Sequence, residues 1–440
     1  MLERLFRLKE NGTAARTEVL AGLTTFLTMA YIILVNPTIL ADAGMPPAAA
    51  AAATCLAAAF GSILMGLVAN YPIALAPGMG LNAYFTYTVV QGMGLPWQTA
   101  LGCVFLSGVA FLVLTVAGVR RMIVQAIPRD LFAAIAAGIG LFIAFIGLRS
   151  AGLVVANPAT TVGLGDLTTP AAGLAVFGLA VTGALLVWRI RAAMLVGILA
   201  TTALAWILGV VDFRPAPYSV SELTATAFKL DVPAALGLGG GGLTLALVEI
   251  LFVFLFVDLF DNVGTLVAVT KRAGLVDSET GEIPRLNRVL LTDSAATMVG
   301  AVAGTTTTVS YIESAAGVAA GGRTGLTAVV VGMLFLAAMF LAPFAQAIPA
   351  AATAPALILV GAMMMAPLVE SDWTDPMVAI PGFLTLIAIP LTFSIANGLA
   401  FGIIAYALLR LVRGQARPAD WLLYLLAALF VVRFVWLAAG

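Results

Sequence analysis

The chain has 440 residues, of which 62% are hydrophobic and 10% are charged, and its 21 basic and 21 acidic residues balance to a net charge of zero. Soluble globular domains carry about 25% charged residues, so a soluble protein of this composition would lack a polar surface. About 20 apolar residues are needed for each crossing of a bilayer, which allows roughly twelve to fifteen crossings here. The composition excludes a soluble domain and predicts an all-α polytopic protein of the cell membrane, with lipid and no nucleic acid around it.

The first half of the chain contains seven apolar elements. We interpret the charged, amphipathic residues 1–16 that precede them as a cytoplasmic interfacial segment rather than a signal peptide. The predicted elements cover residues 17–40, 48–69, 73–90, 97–118, 131–148, 171–188 and 192–211. Residues 212–242, which are polar and then glycine-rich, link the two halves as an extracytoplasmic loop.

The second half repeats this arrangement. Its predicted elements cover residues 243–269, 289–303, 305–320, 324–344, 353–366, 377–393 and 396–411. An odd number of elements in each half places the two repeats in opposite orientation, which predicts an inverted repeat of fourteen elements. A further apolar helix at residues 421–437 either crosses the membrane or lies along its surface.

The third element of each half is short and carries residues that disfavour a helix. Pro77 biases the residue before it towards an extended conformation, and residues 305–309 are β-branched. We therefore expect short extended pieces in elements 3 and 10, each opening into a half-helix whose backbone N–H groups face a cavity. The residues whose backbone is assigned to this role are Gly80, Leu81, Tyr311 and Ser314.

Basic residues predict the orientation of the chain in the membrane. If the N-terminus is cytoplasmic, the N-terminal segment, the even-numbered loops and the C-terminal tail together hold most of the 21 Lys and Arg residues. The positive-inside rule therefore favours a cytoplasmic N-terminus.

Several acids lie inside the apolar stretches of the second half. Because an acid at membrane depth costs several kcal/mol, it is typical of a substrate or ion path. Asp258 and Asp261 are three residues apart and occupy neighbouring positions on one helix face. The alternative is a structural role, in which they accept backbone N–H groups or pair with a basic residue. Asp293 fits a helix cap or a coupling role equally well.

These side chains suit a neutral solute that is rich in N–H donors. A carboxylate accepts paired hydrogen bonds, and the amide of Asn82, next to the first half-helix, both donates and accepts. Purine bases present such a mixed edge. The chain contains no histidine, so proton coupling would use the carboxylates. We interpret Asp261 and Asp293 as coupling or supporting residues.

Five sequence blocks resemble the azaguanine-type purine permeases, a branch of the nucleobase:cation symporters that is similar to the nucleobase–ascorbate transporters. The blocks are NGT from Asn11, TTFLTMAY from Thr24, APGMGLNAY from Ala76, FVDLFDNVGT from Phe256 and YIESAAGV from Tyr311. The resemblance extends from Asn11 to about Arg417.

The resemblance implies a core at residues 17–118 and 243–344, and a gate at residues 131–211 and 353–412 that forms a dimer surface in relatives. It places substrate-binding positions on Asn82, Asp258 and Glu313, and an acidic position of the ninth element on Asp293. It also implies proton-driven transport in which the core slides against the gate. It implies no cofactor other than the coupling proton.

Three other functions are weighed against a purine carrier. A membrane enzyme is disfavoured because the polar loops are short and no nucleotide-binding or metal-binding motif is present. A channel or facilitator is consistent with broken half-helices, which also line pores. An anion exchanger of the same architecture is disfavoured by Asp258 and Glu313, which would repel an anion. The predicted solutes are the purine nucleobases hypoxanthine, guanine and adenine, and the sequence does not rank adenine, guanine, hypoxanthine and xanthine.

Overall fold

The chain is mostly helical throughout the part described by the computed structural model, which covers residues 2–118, 129–212, 217, 219–238, 245–275, 283–415 and 420–439. Residues 239–242 of the predicted glycine-rich link lie outside the described residues. Within them, eight helices are long and apolar enough to cross a membrane, and three shorter apolar helices accompany them. The prediction of a polytopic helical membrane protein is confirmed.

The first half of the chain consists of helices, a short buried strand and a small hairpin. The elements are α1 (Leu2–Phe6), α2 (Ala15–Met29), α3 (Ile32–Ala41), α4 (Pro47–Leu64), β1 (Leu75–Pro77), α5 (Met79–Ala83), α6 (Trp97–Val116), α7 (Arg129–Ser150), β2 (Val154–Asn157), β3 (Thr161–Leu164), α8 (Pro170–Val187), α9 (Ala193–Ile207), α10 (Val220–Leu223) and α11 (Val232–Ala235). A wider helical turn prolongs α4 to Ala69, and another prolongs α5 to Gly92.

The second half again contains one buried strand among helices. Its elements are α12 (Leu245–Arg272), α13 (Leu286–Ala303), β4 (Thr308–Ser310), α14 (Ser314–Ala319), α15 (Gly325–Ala338), α16 (Ala350–Met363), α17 (Pro376–Leu391), α18 (Ile395–Val412) and α19 (Trp421–Ala439). Two tighter 3₁₀ segments, Met339–Ala347 and Ala366–Glu370, follow α15 and α16.

The first apolar span is broken near its middle, which hydropathy did not indicate. Helix α2 ends at Met29, and the backbone then makes two tight bonds, from Ile33 N to Ala30 O (3.1 Å) and from Leu34 N to Tyr31 O (3.0 Å). These i to i−3 bonds are typical of a 3₁₀ turn between two helices. The break places Tyr31 in the protein interior, where it is 1% exposed.

The loop after α7 folds into an exposed hairpin that the sequence did not predict. Strands β2 and β3 pair antiparallel, with Asn157 opposite Thr161. The Asn157 side chain closes the turn by accepting hydrogen bonds from Ala159 N (2.8 Å) and Thr160 N (3.3 Å). Such a side-chain-closed turn is a common use of Asn in loops.

The chain divides into two compact units. The first contains residues 1–116 and 146–359, and the second contains residues 117–145 and 360–440. In the first unit α4 packs against α3, α13 and α15. Gly66 and Gly325 meet there at backbone distance, so a Cβ on either would collide with the other residue. Small residues therefore allow the helices of this unit to approach closely.

The second unit is built around the pair α17 and α18, and α18 also packs against α19. The ring of Phe393, between the paired helices, makes an edge contact with Phe142, with 4.9 Å between the ring centroids. Gly402 of α18 lies so close to the Thr385 hydroxyl that a Cβ would overlap it. The predicted core and gate are defined by a sliding movement of one against the other, and this division stays a prediction.

A fully buried acid ties the start of the chain to α15. Glu18 on α2 accepts hydrogen bonds from Arg323 N (2.9 Å), Thr324 N (3.2 Å) and the Thr327 hydroxyl (2.6 Å). It also accepts one from Thr327 N (3.3 Å). The carboxylate thus satisfies N–H groups that the first turn of a helix leaves without acceptors.

Replacing Glu18 with Gln should destabilise the protein. The Gln amide would direct its NH₂ group towards the N–H and O–H donors that now bond the carboxylate. Each buried donor left without an acceptor costs about 2 kcal/mol. We expect a lower midpoint of thermal unfolding in detergent, measured by tryptophan fluorescence. Glu10→Gln is the matched control, because Glu10 is exposed in the turn that follows α1. Equal midpoints for the two variants would contradict the assigned role.

Candidate functional site

The two strands that interrupt the third and tenth predicted elements pair with each other. β1 and β4 run antiparallel, with Leu75 opposite Ser310, Ala76 opposite Val309 and Pro77 opposite Thr308. Every residue of both strands is buried. An extended backbone is tolerated at membrane depth only where its polar groups find partners inside the protein. The strand pair provides such partners.

Further hydrogen bonds prolong the strand pair on both sides. Gly78 N donates to Thr307 O (2.9 Å), and Tyr311 N donates to Ala74 O (3.0 Å). The Tyr311 hydroxyl also donates to Pro77 O, at 2.5 Å. The two halves of the chain are thereby joined at one buried point.

Two hydroxyls hold the strand pair to the flanking helices in the same way. Ser62 on α4 lies 3.1 Å from Leu75 O and 3.0 Å from Leu75 N. Thr297 on α13 lies 3.1 Å from Thr308 O and 3.3 Å from Thr308 N. Leu75 and Thr308 are the first residues of their strands, so each half of the chain makes the same contact at the same place.

The four backbone positions predicted to face a cavity lie at the strand–helix junctions. Gly80 and Leu81 are buried within α5. Tyr311 N is taken up by the strand pair, and Ser314 N donates to Tyr311 O (3.1 Å) in the first turn of α14. The Ser314 hydroxyl accepts from Ala74 N (3.0 Å). In the second half, the N–H groups of Tyr311 and Ser314 therefore already have acceptors inside the protein.

The amide of Asn82 is fully buried and forms part of a side-chain network. Its Nδ2 atom donates to Asn36 Oδ1 on α3 at 2.6 Å. Its Oδ1 atom accepts a hydrogen bond from the Thr306 hydroxyl. Asn82 thus contacts residues from both halves of the chain.

Glu313 precedes the first residue of α14 and contacts Tyr31, which lies between α2 and α3. The Tyr31 hydroxyl donates to Glu313 Oε1 at 2.7 Å. A hydrogen bond to a charged acceptor is stronger than one between neutral groups, and it holds the carboxylate in one orientation. The break between α2 and α3 is what brings Tyr31 to this position.

Asp261 interacts with two of the other predicted acids. The Asp261 carboxylate interacts electrostatically with those of Glu313 and Asp293. Asp261 also lies beside the junction of β1 and α5, because a Cβ built on Gly78 would be 3.5 Å from its Oδ2 atom. Among the described residues, no group of three His, Cys, Asp or Glu side chains is arranged to hold a metal ion.

Asp258 is fully buried on the same helix as Asp261. It lies one turn after Phe254, whose ring makes an edge contact with Tyr84, with 5.3 Å between the centroids. Residues four apart share a helix face, so the Asp258 face of α12 is directed towards the half-helix that carries Asn82.

Sequence reasoning missed three side chains that touch the predicted site residues, namely Tyr31, Asn36 and Thr306. Two of them are far from their partners in the chain, by 282 residues for Tyr31 and Glu313 and by 224 residues for Thr306 and Asn82. Asn36 is 46 residues from Asn82 and is the one asparagine in the first predicted span, residues 17–40, which was the available signal.

A family model described as "Permease family" (Xan_ur_permease) matches residues 16–432. The chain belongs to this family. It is therefore a multi-pass membrane transporter and not an enzyme.

Relatives within the family extend over the whole chain. The adenine permease AdeP of Escherichia coli is 45% identical over 100% of this chain and 97% of its own length. The guanine/hypoxanthine permease PbuG of Bacillus subtilis is 44% identical over 99% of this chain and 100% of its own length. These relatives confirm the resemblance to the purine permease branch.

A solved structure shares the fold at low sequence identity. The transmembrane domain of the cyanobacterial bicarbonate transporter BicA matches 88% of this chain and 97% of that chain, with a TM-score of 0.64 and 15% identity. At this identity the likeness concerns the fold alone.

Removing either anchoring hydroxyl should destabilise the strand pair. Ser62→Ala and Thr297→Val each leave strand groups without a partner, so each should lower the free energy of unfolding by about 1 to 3 kcal/mol. Thermal unfolding in detergent measures the loss. Ser107→Ala is the control, because the hydroxyl of this buried serine donates to Val104 O within its own helix (2.7 Å) and not to a strand. Variants as stable as this control would argue against the anchors.

Proposed function

We propose that this permease is a secondary active transporter that imports purine nucleobases across the cell membrane. The observation that carries the proposal is the buried pairing of β1 with β4, which brings Asn82 of one half and Glu313 of the other beside the same joint. The names of the adenine and guanine/hypoxanthine permeases that resemble the chain support a purine as the solute.

In this proposal Asn82, Asp258 and Glu313 bind the base. Purine edges carry N–H donors beside ring or carbonyl acceptors. A carboxylate such as Glu313 accepts from two donors, whereas an amide such as Asn82 pairs with one donor and one acceptor. Tyr31 holds the Glu313 carboxylate in place for this contact.

The coupling ion in this proposal is a proton. A proton that joins the group formed by Asp261, Asp293 and Glu313 neutralises one carboxylate and so changes what the site binds. The chain has no histidine that could take this role. Asp261 and Asp293 serve the coupling, and no cofactor takes part.

The proposal includes fourteen elements in two inverted repeats and a core that slides against a gate. The equivalent contacts of Ser62 with Leu75 and of Thr297 with Thr308 support the repeat, because corresponding helices hold corresponding strands. The distribution of basic residues supports a cytoplasmic N-terminus. A dimer formed through the gate stays a prediction.

A channel and an anion exchanger are the competing functions. The likeness to a bicarbonate transporter concerns the fold, and the carboxylates of the buried Asp258 and the partly buried Glu313 disfavour an anion at the site. A channel would conduct without saturation. Both alternatives therefore differ from a purine carrier in the flux that they produce.

Uptake by proteoliposomes tests the proposal. We expect saturable uptake of labelled hypoxanthine or adenine, increased by an inward proton gradient and blocked by unlabelled purines but not by bicarbonate. Glu313→Gln should abolish it, because the amide accepts one hydrogen bond fewer and cannot exchange a proton. Glu222→Gln, at an exposed site on α10, is the matched control. No uptake of any purine, or normal uptake by Glu313→Gln, would contradict the proposal.

Replacing Tyr31 with Phe should raise the KM of purine uptake without abolishing uptake. The variant keeps the ring but loses the hydroxyl that donates to Glu313. Loss of a hydrogen bond to a charged group corresponds to about tenfold in the KM of uptake. The control is Tyr424→Phe on α19, whose hydroxyl has no hydrogen-bond partner among the described residues. An unchanged KM for Tyr31→Phe would show that the contact does not support binding.

A further inference from the structure

Asn36 lies at the centre of a hydrogen-bond chain whose direction is determined at one end. The Thr54 hydroxyl donates its proton to Ala50 O, at 2.6 Å, so its oxygen can only accept from other groups. Asn36 Nδ2 donates to that oxygen at 2.8 Å. The nitrogen of the Asn36 amide must therefore face α4.

The second N–H of the same nitrogen is also used. Asn36 Nδ2 donates to the Thr305 hydroxyl at 3.0 Å, so both of its protons are engaged. The remaining polar atom of the Asn36 side chain is Oδ1, which lies 2.6 Å from Nδ2 of Asn82. Because an acceptor requires a donor opposite, Asn82 must turn its nitrogen towards Asn36.

The opposite side of Asn82 agrees with this orientation. The Thr306 hydroxyl donates to Asn82 Oδ1. Asn36, Thr54, Asn82, Thr305 and Thr306 are all 0% exposed, so water does not compete for these bonds. Among the described residues the Asn82 side chain makes no other hydrogen bond, so one N–H and one lone pair of its amide remain. The bonds to Asn36 and Thr306 determine on which side of the amide each of them lies.

The placement of the amide N–H and lone pair decides which purine edge Asn82 can pair with. A 6-oxo purine such as hypoxanthine presents a carbonyl acceptor beside the N1–H donor. A 6-amino purine such as adenine presents an N–H donor beside the N1 acceptor. Turning an amide over exchanges its donor and its acceptor, so an amide of fixed orientation matches one of these edges in a given pose and leaves the other with unpaired groups.

We propose that Asn36 is a positioning residue that sets the orientation of the Asn82 amide and thereby the choice between 6-oxo and 6-amino purines. The inference rests on the proposed function, in which Asn82 contacts the base. Asn36 acts through Asn82 and does not touch the purine itself.

Asn36→Asp and Thr54→Val test the inference separately. The aspartate is isosteric but, as a carboxylate, cannot donate to Thr54 or Thr305. The valine keeps the shape of Thr54 and removes the acceptor that directs the Asn36 nitrogen. Thr38→Val is the matched control, because the Thr38 hydroxyl on α3 bonds Leu34 O of its own helix (2.9 Å).

The measurement is the ratio of the inhibition constants of adenine and hypoxanthine in proteoliposome uptake. We expect the wild type to bind one of the two purines more tightly, so that the ratio differs from one. Asn36→Asp should bring the ratio at least tenfold closer to one, and Thr54→Val should move it in the same direction. Thr38→Val should keep the wild-type ratio. Thermal unfolding in detergent identifies any variant that does not fold.

The outcomes separate this inference from the function on which it rests. Purine uptake with the same ratio in both folded variants, or both constants raised equally, would show that Asn36 has a structural role only. A wild type that takes up both purines with equal affinity would also overturn the inference. A wild type that takes up no purine would overturn the proposed function itself.

Discussion

The antiparallel pairing of two buried three-residue strands is the interaction on which the rest of the site depends. Each strand interrupts a helical element and leaves main-chain groups that a helix would have satisfied. At membrane depth every such group needs a partner, because an unsatisfied one costs several kcal/mol. β1 and β4 supply partners to each other, and Ser62 and Thr297 supply the next ones. Asn82 and Glu313 take their positions from this joint.

Two glutamates inside the protein, the buried Glu18 and the partly buried Glu313, differ in the groups that surround them. Glu18 accepts hydrogen bonds from the backbone and the hydroxyl group at one helix start, so its lone pairs are directed to fixed donors. Glu313 accepts from Tyr31 and interacts electrostatically with the carboxylate of Asp261, which accepts and does not donate when ionised. In the proposed function a solute that brings N–H donors, or a proton, binds at Glu313, whereas the carboxylate of Glu18 already accepts from donors at the start of α15.

The helical architecture and both extended segments could be predicted from local features of the sequence. Hydropathy located the spans, and Pro77 and the β-branched residues 305–309 indicated the breaks that contain β1 and β4. The pairing of these strands and the contacts of Tyr31 with Glu313 and of Asn36 with Thr305 could not be predicted, because they join residues more than 200 positions apart. The exposed hairpin of β2 and β3 was missed because it lies in a loop between two apolar spans, where hydropathy gives no signal for a strand.

The contact of Glu18 with α15 has a consequence for the synthesis of the protein. The donors that surround this carboxylate belong to residues 323–327, about three hundred positions further along the chain. While the ribosome makes the intervening segments, α2 carries an acid that the finished protein buries completely. The packing that buries the Glu18 carboxylate can therefore form only after residues 323–327 have been synthesised, because the donors that compensate its burial belong to them.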